Sequence, residues 1–324
     1  MKKAVVLGCI NTMATTVFGP MDILNQAGRL WARVHGEPKT PFFDVCLASP
    51  DGGPIRCTNN VMVQPHKSIR EIEQADLIVI SSATYIDRII EAYPDLVDCL
   101  RRHYDQGTHM ASVCTGVNLL AETGLLDGKS ATLHWGFTRS FKKRYPHIAL
   151  EPEKMVIDHG RLYCSAGVTA GMDLSLYLVD KFCGRQVGLE LAKSMVLDLG
   201  RRLQTPYSAF MAPRDHRDPV VIAVQERIEA RYVESIDYND LAAQAGVSRR
   251  SLERRFKRAT GMTPLSYLQQ FRVETARQLL ETGGHTFSEV TYMVGYEDVS
   301  FFRKLFVKLT GLRPKAYQQR YLST

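Results

Sequence analysis

The amino-acid sequence predicts two folds in one chain: an α/β domain over residues 1–200 and an all-α domain over 220–324 with two helix-turn-helix units. Three observations predict this. Short apolar runs of buried-strand type alternate with helical spacing through the first part of the chain. One pattern then occurs twice, as DLAAQAGVSRRSLERRFKRATGMTP at 240–264 and as EVTYMVGYEDVSFFRKLFVKLTGLRP at 289–314. Charge is also unevenly placed: residues 241–324 hold 14 Lys and Arg against six Asp and Glu, a net of +8, while the whole chain is +7.

At 324 residues, 45% hydrophobic and 23% charged, the chain can bury a core in each of two domains. No apolar run approaches the roughly 20 residues that span a bilayer, so no membrane partner is expected. The start, MKKAVVLGCI, breaks at Asn11 with no small-residue cleavage site and reads as a first strand. Seven cysteines (Cys9, Cys46, Cys57, Cys99, Cys114, Cys164 and Cys183) are odd in number, scattered and without a C-x-x-C pair. That pattern fits reduced thiols in a cytoplasmic protein, with no disulfide framework, metal site or cofactor expected.

Taken in order, residues 4–7 form an apolar strand, followed by a helix over 18–34 that opens near Gly19-Pro20. Residues 43–48 make a second strand, 55–62 a hairpin, and 75–81 another buried strand. Helical spacing runs over 87–104, with Ile89, Ile90, Tyr93, Leu96, Val97 and Leu100 on one side. A strand at 109–113, a helix at 115–122, a strand at 129–133 and helices at 168–182 and 187–199 complete an α/β domain with a largely parallel sheet. Residues 201–219, with three prolines and a charge run, read as a linker. Residues 220–231 form the leading helix of the second domain.

In each repeat, Gly246 or Gly295 stops a short helix. Ser248 caps the next helix, whose Leu252, Phe256 and Ala259 point inward while Arg250, Arg254, Lys257 and Arg258 lie outward. In the second copy Phe302, Leu305, Phe306 and Leu309 point inward, and Ser300, Arg303, Lys304, Val307 and Lys308 lie on or beside the outward face. Between the copies, Thr263 caps a long helix that opens on Pro264 and carries Leu265, Leu268, Phe271, Ala276 and Leu279 to Leu280. A short helix with outward cations is suited to a DNA major groove.

The stretch 220–321 resembles the DNA-binding module of the AraC/XylS family of bacterial transcription regulators. Gly295-Tyr296, Ser300-Phe301-Phe302, Phe306-x-Lys308, Gly311-x-x-Pro314 and Tyr317 carry that resemblance. It implies two recognition helices in successive major-groove turns of double-stranded DNA. Base contacts are expected from Arg250, Glu253 and Arg254 in the first helix, and from Val299, Ser300, Arg303 and Lys304 in the second. Ser248, Arg249, Lys257 and Lys308 complete the DNA-facing set.

In the first domain Cys114 falls at a strand's carboxyl end, before a helix, in Ser112-Val113-Cys114-Thr115-Gly116. That is the look of a nucleophile elbow, with a helix N-terminus to lower the thiol pKa. His134, 20 residues on and followed by Trp135, ends the next strand and can meet the thiol across the same crevice. Residues 2–200 resemble the DJ-1/PfpI branch of the class I glutamine amidotransferase fold, a flavodoxin-like sandwich. The run SVCTGVNLLAETGLLDGKSATLHW at 112–135 is close to the form fused to AraC-type domains in GlxA-like regulators, and SAGVTAGMDLSLYLVD at 165–180 belongs to the same pattern.

The chain departs from the enzymes of that group. Thr16 stands where they carry an acid, Ser81-Ser82-Ala83-Thr84 replaces the glycine-rich oxyanion turn, and Thr115 stands where PfpI-type proteases have His. A binding pocket lined by Thr16, Ser82, Cys114, Thr115, His134 and Trp135 is therefore expected, with no catalytic residue. Asp173 is read as a structural helix residue, with reach to the site as the alternative. The expected function is a ligand-responsive transcription regulator, an activator and homodimer, with RNA polymerase as a further partner. The resemblance offers amino acids or quaternary amines as effectors, with Trp135 as a cation–π face. The alternatives are a Cys-dependent amidase or hydratase, or a thiol redox sensor, with a DNA-binding tail.

Overall fold

The computed structural model describes residues 1–322 and divides into two compact units between Gln204 and Thr205. The first unit opens with β1 (Lys2–Leu7), α1 (Ala14–Gln26) and α2 (Leu30–His35). One helix was expected over 18–34. The chain instead starts α1 earlier, keeps Pro20 inside it, and breaks at Gly28, whose φ of +73° places a hypothetical Cβ 2.0 Å from the Thr40 carbonyl. Next come β2 (Phe43–Ser49), the hairpin β3 (Ile55–Arg56) and β4 (Met62–Val63), β5 (Lys67–Ser68) and β6 (Leu77–Ile80).

The helix expected over 87–104 is also two, α3 (Ile86–Ala92) and α4 (Leu96–Asp105). Pro94 causes the break by pushing Tyr93 out of helical geometry, to φ −136° and ψ 70°. β7 (His109–Val113) leads through a tight 3₁₀ turn over Cys114–Gly116 into α5 (Val117–Glu122). β8 (Ser130–Ala131), α6 (Thr138–Arg144), β9 (Ala149–Leu150), β10 (Val156–Asp158), β11 (Leu162–Ser165), α7 (Ala170–Cys183) and α8 (Arg185–Met195) follow.

The central sheet has seven strands in the order β10-β11-β7-β6-β1-β2-β5. Only β10, at an edge, runs antiparallel to its neighbour. The pleat splits each strand between two cores. Val5 and Leu7 of β1 pack with the layer of α3, α4 and α5, while Ala4 and Val6 pack with α1, α7 and α8. This is the expected α/β sandwich, with one correction. The strand expected at 129–133 is reduced to β8, which pairs with β9 outside the main sheet, and β11 takes the place beside β7.

The second unit is helical: α9 (Pro219–Ala230), α10 (Tyr238–Gln244), α11 (Arg249–Thr260), α12 (Pro264–Thr282), α13 (Phe287–Met293), α14 (Val299–Thr310) and α15 (Pro314–Tyr321). Two apolar cores divide it. Tyr267 and Leu268 of α12 join the first with Val221, Ile228, Leu252 and Phe256. Val273, Ala276 and Leu280 join the second with Phe302, Phe306 and Tyr317. Leu265, one of the apolar residues along α12, is exposed. Two arginines are buried there instead. Arg272 donates to the carbonyls of Tyr232 (2.6 Å) and Glu234 (2.9 Å) and lies 4.8 Å from the Tyr296 ring centroid. Arg277 donates to Tyr317 Oη at 3.0 Å and to the Pro206 carbonyl at 2.9 Å.

The expected linker 201–219 is parted between the units. Gln204 is buried in the first, where its Nε2 donates to the Leu133 carbonyl (2.7 Å). Phe210 and Ala212 pack on the first helical core of the second. Among the described residues, no helix is long and apolar enough to cross a membrane.

Candidate functional site

Two places carry the predicted site residues, one in each unit. In the first, β7 ends at Val113 and the chain turns so sharply that Cys114 takes φ +56°. A side chain in that region is strained. The turn is held from two sides. Cys114 N–H donates to the Ala166 carbonyl at 3.1 Å, and Gly116 lies so close to β6 that a Cβ would meet the Ser81 and Ile80 carbonyls at 2.4 and 2.7 Å.

The elbow is therefore present, and its thiol is buried. Burial pushes the Cys114 thiol above its ordinary range, outweighing backbone hydrogen bonds from Val168, Thr115 and His134. The net shift is therefore upward, against the expected lowering, although the Thr115 backbone donor below the thiol acts in the lowering direction. Burial also holds the His134 imidazole below its ordinary range. His134 Nδ1 accepts from Gly136 N–H at 3.1 Å, its ring stacks on Trp135 with centroids 5.1 Å apart, and Phe137 meets it edge-on. Cys114 is thus contacted by the His134 backbone, while the His134 ring is engaged by Gly136 N–H and by the Trp135 and Phe137 rings.

Thr16, Ser82 and Thr115 are buried and bonded among themselves and their neighbours. Thr16 Oγ1 donates to the Met13 carbonyl (2.7 Å) and accepts from Ser82 N–H (3.1 Å). Ser82 Oγ accepts from Met13 N–H (2.8 Å), and Thr12 Oγ1 donates to Ser81 Oγ (2.9 Å). Thr115 Oγ1 accepts from Ala83 N–H (3.0 Å). Two backbone donors of the 81–84 turn, Ser82 and Ala83 N–H, are taken by side chains where an oxyanion would need them free, and Ser81 N–H is taken by the Leu7 carbonyl. These three residues are buried near the Cys114 turn, while His134 and Trp135 remain partly exposed as a wall of two stacked rings.

Sequence reasoning missed what places that wall. Gln204 accepts from Trp135 N–H at 3.2 Å as well as donating to Leu133. Gly167 leaves room for the imidazole, since a Cβ there would lie 2.2 Å from His134 Cδ2. Gly167 sits inside the quoted SAGVTAG run; Gln204 gives no sequence signal at all. Asp173 is ion-paired with Arg201, whose Nε donates to it at 3.0 Å. Burial raises the Asp173 pKa against that pairing, and the pair fastens the segment after α8 to α7. A cleft of ≈ 700 Å³ lies elsewhere, at the amino ends of the strands, between Lys2, Lys3, Asp76, Thr108, His109 and Phe182.

In the second unit, α10 and α11 form the first helix-turn-helix, and α13 and α14 the second. Ser248 Oγ accepts from Ser251 N–H (3.3 Å) and so caps α11, and Asp298 does the same for α14 through Ser300 and Phe301 N–H. Arg250, Arg254 and Lys257 are exposed on α11, and Arg249 pairs with Glu253 at 3.1 Å on that same surface. Ser300, Lys304 and Lys308 are exposed on α14, Val299 is half-buried, and Arg303 leans over the Phe287 ring at 5.7 Å. Arg255, which the sequence reading left out, makes a bidentate pair with Asp218, the cap of α9.

Residues 2–181 match the DJ-1/PfpI family, and residues 241–320 match a helix-turn-helix domain. The HTH-type transcriptional regulator GbdR of Pseudomonas aeruginosa is 27% identical over 305 residues, covering 93% of this chain and 78% of that protein. The HTH-type transcriptional regulator CdhR of the same organism is 30% identical over 259 residues, covering 80% and 76%. Isonitrile hydratase of Pseudomonas putida is 28% identical over 170 residues, covering 52% of this chain and 71% of the enzyme. The crystal structure of Drosophila melanogaster DJ-1beta superposes with a TM-score of 0.52 at 20% identity, covering 61% of this chain and 98% of that one. That last likeness speaks for the fold alone.

Proposed function

Since the chain belongs to the DJ-1/PfpI family and carries a helix-turn-helix domain besides, we propose that it is a sequence-specific DNA-binding transcription regulator whose first unit receives a small molecule. The observation that carries the reading is the pair of capped helices, α11 and α14, each with exposed cations over a closed apolar core. Arg250, Glu253, Arg254 and Lys257, with Ser300, Lys304 and Lys308, form the DNA-facing set; Ser248 and Arg249 act through the cap and the Glu253 pair. Val299 and Arg303 lie on the second helix beside this set.

The regulator works in the cytoplasm as a homodimer and activates by contact with RNA polymerase. Its effector is an amino acid or quaternary amine held at the Cys114 crevice, where Trp135 and His134 offer ring faces. Binding matters for regulation only if the effector prefers the DNA-competent form. A second reading, Cys-dependent catalysis, draws support from the hydratase relative and from the strained elbow at Cys114. The raised thiol pKa and the occupied donors at Ser82 and Ala83 weigh against it.

Thermal unfolding of the full chain, followed by tryptophan fluorescence, tests the sensing step. Trp31 and Trp135 both lie in the first unit. An effector at about a hundred times its dissociation constant adds ~2.7 kcal/mol. The expected result is a raised tryptophan transition with one of the amines or amino acids, lost in His134→Ala. Turnover of an amide or isonitrile that disappears in Cys114→Ala would replace this reading with the enzymatic one.

A further inference from the structure

Phe301 is 48% exposed, on the first turn of α14. Its ring touches Tyr296 on one side, with centroids 5.8 Å apart, and the remainder faces solvent. At about 100° per residue, Phe301 lies within roughly 20° of Lys308 and 60° of Lys304 around the helix, so the ring shares the cationic face. Fifty residues earlier, at the matching place on α11, stands Ser251, half-buried and donating to the Ser248 cap. The two recognition helices are therefore chemically unlike. The first presents Arg250, Glu253 and Arg254; the second presents an aromatic ring beside Ser300, Arg303, Lys304 and Lys308.

Resting on the DNA-binding reading above, we propose that Phe301 is a specificity-determining residue that reads thymine in the second half-site through the C5-methyl group. The reason is chemical. The edges of the base pairs in the major groove present hydrogen-bond donors, acceptors and one apolar group, the thymine methyl. A ring carried into the groove beside two lysines has that single apolar partner. Lys304 and Lys308 supply attraction to phosphate and carry no sequence information in it. The ring gains only where a methyl covers it. The segment read by α11, through Arg and Glu, carries no such requirement, so the two segments read by one chain differ.

The test uses the full chain and a random duplex library. Selection with the wild type yields the bound sequence, and each thymine in it is then replaced by uracil, which removes only the methyl. One or two thymines in the half-site contacted by α14 should each cost the wild type roughly fourfold in affinity. The same replacements should leave Phe301→Ala indifferent and Phe301→Leu sensitive. Circular dichroism of each variant shows whether the helices are intact, and the uracil scan of the wild type stands even if a variant fails to fold. Uracil without effect on the wild type overturns the proposal. So does an equal uracil penalty in Phe301→Ala, and so does unchanged DNA affinity with lost transcription, which would assign the ring to a protein contact. A library from which the wild type enriches nothing overturns the DNA-binding reading itself.

Discussion

Arg272→Ala removes a buried cation that connects the two halves of the helical unit. The guanidinium of Arg272 is 7% exposed and serves two carbonyls of the 232–234 turn while lying over Tyr296, which belongs to the second helix-turn-helix. Gly295 packs onto the same turn, so closely that a Cβ would meet the Val233 carbonyl at 2.1 Å, and its φ of +81° is one that side chains disfavour. Truncation leaves two carbonyls without their donor and the Tyr296 ring without its cation. Hydrogen bonds to charged groups contribute about 1.5–3 kcal/mol each, and the cation–π contact about 0.5–2. The turn lies near solvent, so water can take over part of the loss, and the expected cost is about 3 kcal/mol. For a unit of this size that lowers the melting temperature by roughly 10 °C. Circular dichroism sees the helices of both units, while tryptophan fluorescence sees the first unit alone. The variant should lower an ellipticity transition and leave the fluorescence transition in place. Arg272→Lys should recover only part, because an ammonium lacks the planar fork that serves both carbonyls. A shift in the ellipticity transition of less than about 3 °C would refute the argument that Arg272 holds the halves together.

The remaining predictions concern separate groups. Arg254→Ala should cost about 1–3 kcal/mol of DNA affinity at one base position, measured by competition among operator variants; a uniform loss over all sequences would make Arg254 a phosphate contact. Burial holds His103, His109 and His134 below the ordinary histidine range, with Lys181, Arg161 and Lys2 adding to the effect at His109. The unfolded chain then binds more protons than the folded one once pH falls through the unfolded value of about 6.5. This stability is fully present above that value and is lost on acidification. The tryptophan-reported melting temperature should drop from pH 7.5 to 5.5, and a constant value would contradict the assignment. All three thiols are raised in pKa, so access decides: the buried Cys114 should be alkylated by iodoacetamide later than the partly exposed Cys46 and Cys183. Peptide mapping that finds Cys114 labelled first would restore a thiolate role.

The helical unit was legible because its signals are local. Ser248 and Thr263 cap the helices that follow them, Pro264 and Pro314 stand at first helical positions, and the repeat offset is visible in the turns, 245–248 in one copy and 294–298 in the other. What local pattern could not show was a partner distant in sequence. Arg272 reads as a polar position on α12, yet its acceptors lie 40 and 38 residues away. Residues 129–133 have the composition of a core strand, but membership of a sheet is decided by pairing, and β11 holds the place beside β7. Proline and glycine were read as punctuation in the wrong places. Gly19-Pro20 has the look of an opening but lies inside α1, while Gly28 and Pro94 are where the chain breaks.

The crevice was legible in its elbow and opaque in the hydroxyls buried near it. A hydroxyl both donates and accepts, so Thr12, Thr16, Ser81 and Ser82 can close on one another with no periodic trace in the sequence. Thr16→Glu tests whether that closure excludes acid chemistry. The resemblance gives this position to the acid of the related enzymes, but here Thr16 is fully buried and its hydroxyl already binds the Met13 carbonyl and Ser82. A carboxylate there would gain Ser82 N–H and face the Met13 carbonyl without a cation in the bonded cluster. Burying such a group without full pairing costs several kcal/mol or forces it neutral. The expected outcome is a lowered tryptophan transition and a Cys114 thiol that alkylates no faster than before. If the variant keeps its stability and its Cys114 becomes the fastest-reacting thiol, then the hydroxyl network is a replaceable filling, and a single acid is all that separates this crevice from a catalytic one.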